Sequence, residues 1–191
     1  MSLPICPVDC TSNLPAHQFD ECNPEINNAE IAYVYYTNDE DGNGLANAAD
    51  PLEWDSRLSQ SGAGANQIRA LRVIGEFPPV ADNEKEISGG RVKDGVKDFI
   101  IQGDIDETNQ VNHDALRSLE CNTGSQRVWF ETRDGLLFGG NDGIRNAKLK
   151  IKLNISRNYG DFILFPWTVK WKNDFTPERQ PSVITDAMRN Q

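Results

Sequence analysis

Histidine is scarce in this sequence, with 2 in 191 residues, and neither stands beside a serine or cysteine in a nucleophile motif. A glycine-rich loop of phosphate-binding form is lacking too. Lys and Arg are in the minority, 19 against 29 Asp and Glu, for a net charge of −10. Proteins that grip DNA through a generally basic surface displace phosphate counterions with an excess of cations, so composition excludes that class. Long apolar runs are missing: the longest candidate, residues 162–167, contains Pro166 and falls far short of the roughly 18 residues a membrane-spanning helix needs. The opening stretch Met1-Ser2-Leu3-Pro4-Ile5-Cys6-Pro7 has neither a basic nor an apolar region of signal-peptide form, so no secretory signal is expected.

What is present suits one globular domain with many turns: 38% hydrophobic residues, 15 Gly and 10 Pro. Residues 1–28 carry Pro4, Pro7, Pro15 and Pro24 without any apolar period and read as an irregular N-terminal arm. Residues 29–172 read as the β-sandwich domain and residues 173–191, with Pro177 and Pro181, as an extended C-terminal arm. Strand composition marks residues 31–36, 68–77 and 96–105, the last with Phe99, Ile101 and Ile105 on one face. Asp50-Pro51 has the form of an N-cap and first helical residue, with Leu52, Trp54 and Leu58 in the helix that follows. The polar, Gly-rich residues 81–95 are long enough for a projecting hairpin or loop.

A second helix is expected over residues 109–120, where Val111, Ala115, Leu116 and Leu119 recur at helical spacing, with Cys121 beyond it as a core residue. The segment from Arg127 to Thr132 turns through Asp134-Gly135 into Leu136-Leu137-Phe138, a hairpin signal. In residues 148–156, Leu149, Ile151, Leu153 and Ile155 alternate with Lys148, Lys150, Lys152 and Asn154, predicting a buried face opposite Trp167 and Val169 and a wet or acid-paired face. Trp129, Trp167 and Trp171 are expected in the core rather than as sugar-stacking surfaces. About six to eight strands and one dependable helix imply a mainly β fold, an antiparallel sandwich or barrel with one flanking α-helix and extended arms at both ends.

Residues 39–50 place oxygen side chains and a glycine at calcium-loop spacing. The expected ligands are Asp39, Asp41, Asn43, the backbone carbonyl of Leu45, and Asp50. An acidic Asx-rich turn fits the same residues, and Asp50 is also wanted as the N-cap. Cys6, Cys10, His17 and Cys22 form a ligand set suited to tetrahedral zinc, although the spacing matches no common finger; buried thiols or a short disulfide are the alternatives. His113 falls on the polar side of its helix. Asp104 and Asp106 share a strand face as catalytic carboxylates can, but solvated edge acids explain them more simply.

The series Ile74-Gly75-Glu76-Phe77-Pro78-Pro79, Ile87-Ser88-Gly89-Gly90-Arg91, a capped helix, Trp129-Phe130-Glu131-Thr132, Phe138-Gly139-Gly140 with Gly143-Ile144, Lys170-Trp171-Lys172 and Pro177-Glu178-Arg179 resembles structural proteins of tailed bacteriophages of Bacteroidetes. The order of elements is similar to their tail-tube fold, across residues 31–180. The resemblance implies a non-enzymatic virion protein, assembled in the host bacterial cytoplasm, that stacks as rings conducting DNA. Its implied partners are itself and other virion proteins, with DNA as non-specific cargo, no membrane and no required cofactor. The cysteine-bearing arm and the calcium-like loop lie outside what the resemblance explains. Rival readings are a capsid decoration or head–tail joining protein, a calcium-dependent carbohydrate-binding module and, last, a hydrolase built on Asp104 and Asp106. Lys148, Lys150, Lys152 and Arg91 are the cations expected opposite acidic neighbours.

Overall fold

The computed structural model describes residues 27, 30–40, 42–59, 66–81, 84–87, 91–107, 109–121, 124–157 and 161–189. The zinc-like set Cys6, Cys10, His17 and Cys22, residues 1–26 and 28 of the N-terminal arm and Asp41 of the calcium-like loop lie outside the described residues. In chain order the elements are β1 (Ile31–Asn38), α1 (Pro51–Leu58), β2 (Arg69–Glu76), β3 (Glu84–Ile87), β4 (Arg91–Asp94), β5 (Lys97–Ile105) and α2 (Gln110–Glu120). Then come β6 (Gln126–Thr132), β7 (Leu136–Phe138), β8 (Ile144–Ile151), β9 (Phe165–Asn173), β10 (Arg179–Pro181) and α3 (Asp186–Arg189). Among the described residues no helix is long and apolar enough to cross a membrane.

The fold is mainly β, as the strand periods lead one to expect. Strands β1, β2, β5, β9, β8 and β6 pair antiparallel in that order, and β1 returns to pair with β6, which closes a six-stranded barrel. It is made of two three-stranded meanders, β1-β2-β5 and β6-β8-β9. Helix α2, capped by Asn109 Oδ1 accepting from the Asn112 N–H at 2.9 Å, links them. Alternation along each strand sends one set of side chains inward: Val34, Val73, Phe99, Ile101, Val128, Phe130, Leu149, Trp167, Val169 and Trp171 fill the barrel. Gly75 lies where the Trp167 indole crosses the interior, and a Cβ there would stand 2.6 Å from Trp167 Cζ2. Phe99 stacks on Trp171 with centroids 5.4 Å apart. Fully burying each large apolar side chain contributes about 1.5–3 kcal/mol, so this interior is a packed core.

The wall formed by β1 and β6 is buried on both sides. Every residue of β6 is buried, with Val128 and Phe130 inside the barrel and Trp129 in a second, outer cluster with Tyr35, Trp54, Leu58, Leu137 and Ile184. Helix α1 supplies Trp54, and it starts as the sequence dictates: Asp50 accepts from the Leu52 N–H at 2.9 Å and Pro51 takes the first helical position. Trp54 meets Trp129 edge-on at 5.6 Å, and its Nε1 donates to the Ala48 carbonyl at 2.9 Å. The turn after β7 wraps the other side of Trp129. Gly139 and Gly143 have φ of +128° and +66°, and a Cβ on either would meet the indole at 2.6 and 2.7 Å. The Asp134-Gly135 turn forms the expected β6–β7 hairpin, whose far edge accepts β10 from the C-terminal arm.

Three expectations are corrected. Strand β8 ends at Ile151, and although Asn154 and Leu164 still exchange backbone hydrogen bonds, the barrel has no wall opposite them. Leu153 and Ile155 are therefore exposed, at 42% and 66%, while Leu149 and Ile151 are buried as expected. Helix α2 packs on the barrel cluster through Leu116 and Leu119 toward its C-terminal end, so Val111 in its first turn is left 78% exposed. Cys121 is the C-cap of α2 and is exposed, not core.

Candidate functional site

The calcium-like loop closes on guanidinium groups. Arg57, at the end of α1, donates from Nε to the Asn66 carbonyl at 2.7 Å, and from its two terminal nitrogens to the Gly44 and Asn43 carbonyls at 3.0 Å each. Burial lowers the Arg57 pKa from its ordinary value; Glu53 opposes that shift and Arg127 adds to it. The Asp39 side chain is 3% exposed, faces Arg127 at 3.5 Å and Arg145 at 3.4 Å, and accepts from the Asn146 N–H at 2.6 Å. Asn146 has φ of +53°, which turns its amide toward that carboxylate. Asn43 donates its side-chain amide to the Asn38 carbonyl at 2.9 Å, the Leu45 N–H donates to the Asn141 carbonyl at 2.8 Å, and Asp50 caps α1. Asp39 and Asp50 thus serve separate tasks. Among the described residues no group of three or more His, Cys, Asp or Glu is placed to share a metal ion.

The other residues singled out as chemical do not converge. Asp104 lines a shallow hollow over β2, β5 and β9 with Glu76 and Gln102, whereas Asp106 lines a separate cleft. His113 is half-buried with its ring edge-on to Phe165 at 5.7 Å. Trp129, Trp167 and Trp171 are buried.

A buried ionic cluster that sequence reading missed lies on the outer face of β1 and β6. Glu131 accepts from the Tyr35 hydroxyl at 2.5 Å and from Arg189 of α3 at 2.7 and 2.8 Å. Arg189 also donates from Nε to the Tyr35 oxygen at 2.8 Å and from a terminal nitrogen to the Ile184 carbonyl at 3.0 Å, and its Cζ sits 4.1 Å over the Tyr33 ring. Burial, then the Glu131 charge and hydrogen bond, push the Tyr35 pKa far above its ordinary value and keep the hydroxyl protonated. For Arg189, burial works against the charge, but Tyr35 and Glu131 outweigh it and hold the guanidinium above its ordinary range. The cluster pins the C-terminal segment to the barrel. Beside it a cleft of about 570 Å³ is lined by Arg72, Asp106, Arg133 and Asp186, with cations and acids mixed. One signal was available in the sequence: Arg127, Trp129 and Glu131 share a face of β6, and an aromatic between two charges on a supposedly wet face marks a covered one.

A different surface is built by the outward faces of β8 and β9. Lys148, Lys150 and Lys152 alternate along β8 and its continuation, and the register sets Lys148 directly opposite Lys170. Lys172 pairs with Asp98 at 3.4 Å. No family model, no curated protein and no solved structure matches the chain.

Proposed function

We propose that this chain is a non-enzymatic structural subunit that assembles with copies of itself, as stacked rings of a phage tail tube acting in the virion. The observation that carries the reading is the β3–β4 hairpin. It is inserted between the barrel strands β2 and β5, yet among the described residues it pairs only with itself, as a two-stranded sheet separate from the barrel. An isolated two-stranded hairpin is marginally stable in water, and its open edges are templates for further pairing. A neighbouring subunit would give it a surface to pack against. Two further features agree with this reading: a barrel filled by its own aromatic side chains is a rigid scaffold, and a net charge of −10 suits a channel wall that lets DNA slide without sticking. A capsid decoration or head–tail joining role would draw on the same assembly.

Electron micrographs of the concentrated chain test the proposal. Tubes or stacked rings are expected. Single rings that never stack would move the assignment to head–tail joining, and featureless monomers would overturn it.

A further inference from the structure

We infer that the lysine face of β8 and β9 is the surface on which a second copy of this chain docks through its acidic side. This rests on the self-assembly reading and names the contact that reading requires. Lys148, Lys150, Lys152 and Lys170 are exposed and make no ion pair among the described residues. Lys148 and Lys170 stand directly across the β8–β9 ladder from one another. Like charges in that position destabilise a sheet. In a chain with only 19 Lys and Arg against 29 acids, four lysines left without partners on two adjacent strands form a concentrated cationic face on an otherwise acidic molecule. An acidic partner converts the internal repulsion into attraction across an interface.

What lies beyond the lysines decides what kind of partner fits. Past Ile151 the strand pair runs on through Asn154 and Leu164, and Leu153, Ile155, Phe162 and Ile163 are 42%, 66%, 83% and 47% exposed there, with Leu153 and Ile155 on the ribbon face opposite the lysines. A nucleic acid backbone would use the lysines and leave these four in water. A protein surface that wraps the end of this two-stranded ribbon uses both, since interfaces combine an apolar centre with a charged rim. A second copy of the chain supplies the acid at no further requirement. It presents the exposed Glu40, Asp142 in the turn that leads into β8 and 3.9 Å from Arg127, and the 76% exposed Leu52 of α1. Two different patches meeting in this way form a head-to-tail contact, the kind that closes rings or extends tubes.

The test compares the full chain with the triple variant Lys148→Glu, Lys150→Glu, Lys170→Glu and with the milder Lys→Gln triple. Far-ultraviolet circular dichroism and tryptophan fluorescence confirm the fold of each. Association is read by sedimentation velocity across a concentration series. The Glu variant should need at least about tenfold more protein to associate, with the Gln variant between it and the unaltered chain. Zero-length carbodiimide coupling of the unaltered chain should join these lysines to carboxylates of another copy. An unaltered chain that stays monomeric overturns both the self-assembly reading and this inference. Assembly that proceeds equally in all three overturns this inference alone. Retention on duplex DNA or anionic vesicles that the Glu variant loses while its sedimentation is unchanged would reassign the face to a polyanion.

Discussion

Tyr35 ties its protonation state to the fold. Burial first, and the Glu131 carboxylate second, hold its phenol protonated well past the pH at which an unfolded tyrosine ionises. Below about pH 10 both states keep the proton and its contribution is complete. Above that pH the unfolded chain releases a proton that the folded chain retains, so stability falls as pH rises. The thermal midpoint of the unaltered chain should drop between about pH 9.5 and 11. Tyr35→Phe should start lower, because Arg189 and Glu131 each lose a partner, and then decline less steeply. Tyr36, also raised by burial, keeps part of the slope in the variant. Equal slopes in both proteins would contradict the assignment. Little in the sequence announces this cluster: Glu131 sits at an alternate position of a strand that reads as half wet, and the segment that covers it, with Ile184 and Arg189, comes from the far end of the chain.

Helix α1, the β6–β7 hairpin and the strand at residues 97–105 could be read directly, because each is specified by neighbouring residues: Asp50-Pro51, Asp134-Gly135, and Phe99, Ile101 and Ile105 in alternation. The end of β8 could not. Its alternation runs on through Leu153 and Ile155, and only the position of the barrel rim, a property of six strands together, decides where burial stops. Two substitutions separate the halves of that segment. Ile151→Ala should cost about 2–5 kcal/mol by leaving a cavity against Trp167, whereas Ile155→Ala should change stability by less than about 0.5 kcal/mol. Urea unfolding monitored by tryptophan fluorescence measures both. Equal costs would mean that residues 153–155 are buried after all. Helix α2 has the same limit, since its stripe from Val111 to Leu119 was legible but the point at which that stripe stops packing on the barrel was not.

At the scale of the whole molecule, closure of the barrel joins residues 31–38 to residues 126–132, a pairing with no local signature, and it leaves β3–β4 as a sheet of its own. Composition foretold an acidic surface, and the lysine alternation foretold one cationic strand face. That β9 adds Lys170 to that face follows only from the observed register. Among the described residues, a barrel with a self-paired hairpin and a cationic face on β8 and β9 agrees with the proposed self-assembly. The most direct measurement is the mass in solution, by sedimentation velocity, of the full chain and of a variant in which residues 82–93 are replaced by a two-residue turn. The account predicts that the full chain associates with increasing concentration, while the variant keeps the dichroism of an intact barrel and stays monomeric. A full chain that remains monomeric at every concentration, or a hairpin-less variant that assembles equally well, would contradict it.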